Sequence, residues 1–293
     1  MKKKKKIREL IVVLCLIVLT FSTMTYAWFE KSNKLGANNL SIMVGGTGVL
    51  EIADDLGNGP GEYSHKLKLS EESKMKDMVL NPVTTKDGKF FYSPIYKGNT
   101  VVSVKQILDR EILNKQYVYE KTFYLKADSN PNEDKDGIVV TKDRIYDVFL
   151  VGPATNIEHK GTHVFQSPDA KNEIVADDSA ANAIRISFEL EDGTIIIYEP
   201  NEDISNRDSH RAEDLVKKDY GNYKTMKQLK DGTFEESENG KDSPVMFSIK
   251  EGSDVKVTMR IWVEGTDIDC TDSIALDTIM AMFEFMSKEA VYE

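Results

Sequence analysis

The residues best placed to do chemistry run from Asn132 to Asp143, in the order Asn-Glu-Asp-Lys-Asp-Gly-Ile-Val-Val-Thr-Lys-Asp. Side-chain oxygens at Asn132, Asp134 and Asp136, a glycine at the sixth place and the carboxylate of Asp143 at the twelfth follow the spacing of a calcium-binding loop. Such a loop would wrap a hard cation in oxygen ligands. Three features depart from it: Asn132 stands where an aspartate usually leads, Asp143 is shorter than the usual bidentate glutamate, and the flanks read as strands instead of paired helices. A plain acidic turn fits the same residues.

Other chemistries find less. His159 and His163 lie four apart, a spacing that on a helix would put both on one face toward a zinc ion, but Gly161 opposes that helix and no glutamate stands where a zinc peptidase needs its base. They read as an exposed loop. His65 and His210 are isolated. Gly45-Gly46-Thr47-Gly48 lacks the lysine and helix that make a phosphate loop, no G-x-S-x-G is present, and Cys270 has no histidine near it in sequence. The carboxylates Glu264, Asp267, Asp269 and Asp272 form an acidic corner at a strand end, read as a solvated loop. No catalytic residue is assigned, and the expectation is that the chain is not an enzyme.

Where any site would work is set by residues 1–27. Lys2 to Lys6 and Arg8 precede an apolar core from Leu10 to Leu19, and the stretch closes on Thr25-Tyr26-Ala27 before Trp28. Charge, core length and small residues near the end describe an export signal cut after Ala27, and the alternative is an uncleaved anchor at the lower edge of spanning length. Cleavage would leave 266 residues with net charge −16, against −11 for the whole chain. That balance argues against nucleic acid and against peripheral attachment to anionic lipid, so contact with membrane is expected only through residues 1–27. Cys270 would be the single cysteine left, so no intramolecular disulfide is expected and burial as a small hydrophobe is its plainest role.

The body, residues 40–293, reads as strands. Leu40 to Val44 and Val49 to Ala53 suit a hairpin across the glycine-rich turn. Tyr117, Tyr119, Phe123 and Leu125 mark one face of another strand, and residues 144–151, apolar on both sides, suggest a strand in the middle of the fold. Ile184, Ile186, Phe188 and Leu190 alternate with polar residues, and Asp192-Gly193 turns the chain into Thr194 to Tyr198. From Val255 to Glu264 the alternation has no exception, while residues 201–243 are polar and read as an exposed insertion with a short helix near Ala212 to Lys218. Thr278 to Met286 reads as strand or helix, since Met280, Phe283 and Met286 also fit a helical stripe, and the resemblance given below implies a closing strand. The fold expected is all-β, an antiparallel β-sandwich of jelly-roll type with polar loop insertions and an N-terminal signal helix.

Thr25-Tyr26-Ala27 followed by Trp28-Phe29 resembles the export signals of the TasA and camelysin family of Gram-positive surface proteins, cut by a SipW-type signal peptidase. The run Trp262-Val263-Glu264-Gly265-Thr266-Asp267-Ile268-Asp269-Cys270 is similar to a WxEGxDxxC pattern of related exported proteins. The resemblance implies a secreted, non-enzymatic surface or biofilm-matrix protein, meeting a signal peptidase during export and then associating with itself or with envelope proteins. It also implies an assembly arm, Trp28 and Phe29 on a polar tether of residues 28–39 ahead of Leu40, Ile42 and Val44, able to add as a strand to a neighbour's sheet. Two alternatives stand beside it: a camelysin-like metal-dependent endopeptidase, and a binding module tethered through residues 1–27.

Overall fold

In the computed structural model the described residues are 35–45, 49–69, 79–97, 100–128, 144–151, 162–166, 183–199, 223–227, 245–267, 270 and 278–290. They make an all-β architecture of sixteen strands and, among the described residues, one short helix. The strands are β1 (Leu35–Gly45), β2 (Leu50–Asp54), β3 (Lys66–Lys68), β4 (Val79–Leu80), β5 (Thr84–Thr85), β6 (Phe91–Lys97) and β7 (Thr100–Gln106). After helix α1 (Arg110–Gln116) come β8 (Val118–Ala127), β9 (Ile145–Leu150), β10 (His163–Gln166), β11 (Ile184–Leu190), β12 (Ile195–Glu199), β13 (Tyr223–Lys227), β14 (Phe247–Lys250), β15 (Asp254–Val263) and β16 (Thr278–Glu289).

Alternation explains the central sheet, ordered β13-β12-β11-β15-β8-β2. Along β15, Val257, Met259, Ile261 and Val263 turn one face inward, and Ile186 and Phe188 of β11 and Phe123 and Leu125 of β8 lie on the same side. The β11–β12 hairpin forms as its turn chemistry requires, with Gly193 at φ 85° and the Asp192 carboxylate accepting the Thr194 N–H at 2.8 Å. A second sheet, ordered β14-β9-β16-β1-β3 with β10 on β16 and β4 on β1, faces this inner surface. Phe188 meets Phe283 and Phe285 of β16 edge-on, with ring centres 5.8 and 5.5 Å apart, and Phe123 lies 6.1 Å from Phe285. These rings join the two sheets into one core.

Three strands, β5-β6-β7, lie against the other face of the central sheet together with α1. Asp109 caps the helix by accepting the N–H groups of Glu111 and Ile112. Phe91, Val83, Leu113 and Val118 close with Trp262, Ile195 and Ile197 into a smaller apolar core.

Several expectations are corrected here. The glycine-rich stretch does not close a hairpin, because β1 belongs to one large sheet and β2 to the other. Two ladders run parallel, β1 with β16 and β12 with β13, so the sheets are not purely antiparallel. Strand β9 buries only one face, through Tyr146, Val148 and Leu150. Within the polar stretch 201–243, residues 223–227 form β13 at the edge of the central sheet; the helix expected at 212–218 lies outside the described residues. The tether also ends early, since residues 35–39 already belong to β1.

Candidate functional site

The most concentrated polar chemistry sits where β15 ends, on the side of the central sheet that carries the three-stranded layer. Register places Arg185 of β11 opposite Trp262 of β15, with both side chains 1% exposed. The guanidinium donates through Nη2 to Asp267 and through Nη1 to the Ile184 carbonyl, and its Nε lies 3.6 Å from Glu199 of β12. An arginine taken out of water needs such partners, since an uncompensated buried charge costs several kcal/mol.

Beside this ion cluster, the Trp262 indole donates to Glu264 at 3.2 Å, and the same carboxylate accepts the backbone N–H and the hydroxyl of Thr266 at 3.2 and 2.7 Å. Glu264 is completely buried. Its backbone donates to the Ala183 carbonyl, while the Val83 N–H donates to the Val263 carbonyl and the Val83 carbonyl accepts the Gly265 N–H, which ties the turn to β11 and to the chain entering the three-stranded layer. Gly265 is required by contact: a Cβ there would stand 2.6 Å from the Pro94 ring, 3.0 Å from Tyr96 Oη and 3.1 Å from Pro82. Tyr96 also donates its hydroxyl to the Gly265 carbonyl at 2.8 Å. Two residues on, the Asp267 carbonyl accepts the Cys270 N–H, and Cys270 is buried in the main core.

The residues of the WxEGxDxxC run that are described therefore act together. Trp262 and Glu264 bond each other, Gly265 admits the neighbouring prolines and tyrosine, Asp267 neutralises Arg185, and Cys270 packs. The expectation of a solvated acidic corner is corrected for Glu264 and Asp267, 0% and 4% exposed; Asp269 and Asp272 lie outside the described residues. Sequence reading missed Arg185, which the alternation of β11 set only on the face opposite Ile184 and Ile186. The signal was present: an isolated arginine on a strand otherwise rich in isoleucine, with a tryptophan-bearing strand as its partner.

A second network clamps the same layers farther along β15. Arg260 donates to Glu120 on β8 and to Glu189 on β11, both at 2.6 Å, while Arg110 of α1 reaches Glu120 and Lys89 reaches Glu189. Burial works against the charge of Glu189, but the hydrogen bonds from Lys89 and Arg260 outweigh it and hold the carboxyl below its ordinary pKa of 4.5. Neither network holds a nucleophile beside a base. Among the described residues no group of three or more His, Cys, Asp or Glu side chains is disposed to hold a metal ion.

The remaining candidates separate. Asn132, Asp134, Asp136 and Asp143 of the calcium-spaced loop, Thr25, Ala27, Trp28 and Phe29, and His159 and His210 all lie outside the described residues. His163 begins β10 opposite Met282, so it stands on a strand and not on the helix that a zinc pair would need. His65 is exposed. Leu40 falls in β1 at the irregularity between Asn38 and Ser41, and Ile42 and Val44 are buried in the chain's own core. Strand β1 is thus no loose donor; β16 pairs it on one side and β3 and β4 on the other. Among the described residues no helix is long and apolar enough to cross a membrane.

No protein-family model, curated protein or solved structure matches the chain.

Proposed function

We propose that the chain is an exported, non-enzymatic surface or matrix protein that works by association. The observation that supports this best is the closure of its richest polar cluster: Arg185 and Asp267 are spent on each other and Glu264 on Trp262 and Thr266, all buried. A site built to react must be open to its substrate; this one fastens layers together. The lysine-led leader ending at Ala27 and the acidic body favour work outside the cell, and the two facing sheets suit a sandwich of jelly-roll type.

Association would use the N-terminal segment. Because β1 is paired within its own sheet, donation means exchange: β1 of one copy takes the place of β1 beside β16 of the next, so every backbone bond lost is regained. Residues 28–34 would then bridge the copies. The test compares the exported protein starting at Trp28 with a form lacking residues 28–34, which leaves β1 intact, by sedimentation and electron microscopy. Assemblies in the first and not in the second are expected; equal assembly by both would remove the arm from the account. A chain recovered from the cytosol with residues 1–27 still attached would overturn export itself.

A further inference from the structure

The sequence holds two asparagine–glycine pairs, Asn58-Gly59 and Asn239-Gly240, of which the second lies outside the described residues. Asn58-Gly59 stands at the tip of the loop that follows β2, between Asp55 and Pro60, which pair as an isolated bridge. The stem of this loop is fixed: the Leu56 N–H donates to the Gly59 carbonyl at 3.0 Å, and the Gly61 N–H donates to the Asp54 carbonyl at 2.8 Å. The tip is open. Asn58 is exposed, the glycines on either side of it hold φ 86° and 140°, and a Cβ at either would meet nothing within 4 Å. Among the described residues no hydrogen bond holds the Asn58 carboxamide or the Gly59 N–H.

Two aspartate–glycine turns of the same chain are built the other way. At Asp87-Gly88 the carboxylate accepts the Lys89 and Phe90 N–H groups at 2.9 and 2.7 Å, and the Gly88 N–H donates to Thr85 Oγ1 at 2.9 Å. At Asp192-Gly193 the carboxylate accepts the Thr194 N–H at 2.8 Å, and the Gly193 N–H donates to the Leu190 carbonyl at 3.0 Å. Each turn fixes both the side chain and the nitrogen that follows it. Asn58-Gly59 fixes neither. The side-chain carbon of an asparagine and the backbone nitrogen after it are the two centres that react with each other when the residue deamidates, and a glycine at the second position brings no Cβ to obstruct their approach.

We propose that Asn58 is a site of spontaneous modification, converting through a cyclic imide to a mixture of aspartyl and isoaspartyl residues. The Gly59 nitrogen gives up its proton and attacks Cγ of Asn58; a C–N bond forms, the Cγ–Nδ2 bond breaks, and ammonia leaves. Water then adds to one of the two imide carbonyls. Opening at Cγ restores the ordinary backbone with a carboxylate side chain, whereas opening at the main-chain carbonyl routes the backbone through Cβ and Cγ and lengthens it. No oxidant is consumed. Each event places a new negative charge on a loop where Asp54 and Asp55 already engage Lys121 and Lys256, at 2.8 and 2.9 Å. The chemistry is independent of any self-association.

The experiment follows the purified protein by peptide mass spectrometry and isoaspartyl methyltransferase labelling during incubation at mildly alkaline pH. The peptide that contains Asn58 should gain the mass change of amide to acid together with the isoaspartyl label, and faster as pH rises, because the attacking nitrogen must lose its proton. Asn114, whose carboxamide donates to Glu120 at 3.2 Å within α1, should stay intact. Asn58→Gln removes the favoured ring size and should lose the label at this position; the site is exposed, and thermal melts check that the variant folds. An Asn58 that stays intact in the folded protein overturns the proposal, and its conversion in urea would then assign the protection to the loop. Acid product without isoaspartyl product overturns the imide route, because direct hydrolysis of the carboxamide leaves the backbone unchanged. Conversion of Asn114 at the same pace overturns the role given to the open tip.

Discussion

Arg185 and Asp267 bond each other across 82 residues of sequence, with neither side chain more than 6% exposed. The pair fastens the turn after β15 to β11, and Glu199 of β12 stands on its other flank. Replacing Arg185 by Met leaves two buried carboxylates without this guanidinium, so a loss of about 3–5 kcal/mol is expected. Asp267→Asn keeps a hydrogen-bonding side chain and leaves Arg185 near Glu199, so it should cost less. Urea unfolding at neutral pH orders the two; an Arg185→Met protein as stable as wild type would show that the cluster does not hold the fold together.

Gly265 tests the closeness of the layers. An added methyl group meets the rigid ring of Pro94 at 2.6 Å, so Gly265→Ala should cost about 1–3 kcal/mol as the three-stranded layer is pushed away. Tyr96→Phe removes one bond to the Gly265 carbonyl and should cost about 1 kcal/mol. If Ala at 265 were neutral, the contact with Pro94 would not be a constraint.

These contacts mark how far sequence could be read. Inward faces were legible: the alternation in β11 and β15 placed Ile186, Phe188, Met259 and Ile261 in the core, where they are found. The outward faces of the same strands were not, because alternation reports only that successive residues face opposite ways, not what covers each face. Trp262, Arg185 and Arg260 fall on those faces and are buried. The glycine-rich stretch at 45–48 reads as a hairpin turn, but a local signal cannot say whether the chain returns to the same sheet or goes on to another, and β1 and β2 lie in different sheets. The parallel pairing of β1 with β16 joins the two ends of the body, and no local pattern encodes it.

The Lys89–Glu189–Arg260 network predicts a pH dependence. Glu189 has a folded pKa below its unfolded value, so its contribution is present above the unfolded value near 4.5 and is lost as pH falls through the lower, folded one. Wild type should therefore lose more stability between pH 5 and pH 3 than Glu189→Gln does. Unfolding curves for both proteins at the two pH values check this; parallel losses would mean that Glu189 titrates alike in both states.

The two apolar cores should fail separately. Phe285 contacts Phe188 and Phe123 across the main core, so Phe285→Ala removes the ring that joins both large sheets and should cost about 3–5 kcal/mol globally. Phe91 contacts Trp262 edge-on at 5.4 Å in the smaller core, where far fewer side chains share the burden. Phe91→Ala should free the three-stranded layer and leave the facing sheets closed, because their core contains none of its residues. Amide hydrogen exchange separates the two outcomes: faster exchange confined to residues 84–116 in the Phe91 variant, and faster exchange throughout β11, β15 and β16 in the Phe285 variant. If the Phe91 variant exchanged faster in β16 as well, the three layers would form one cooperative unit, and the fastening at Arg185 and Asp267 would be the means by which loss of one layer reaches the others.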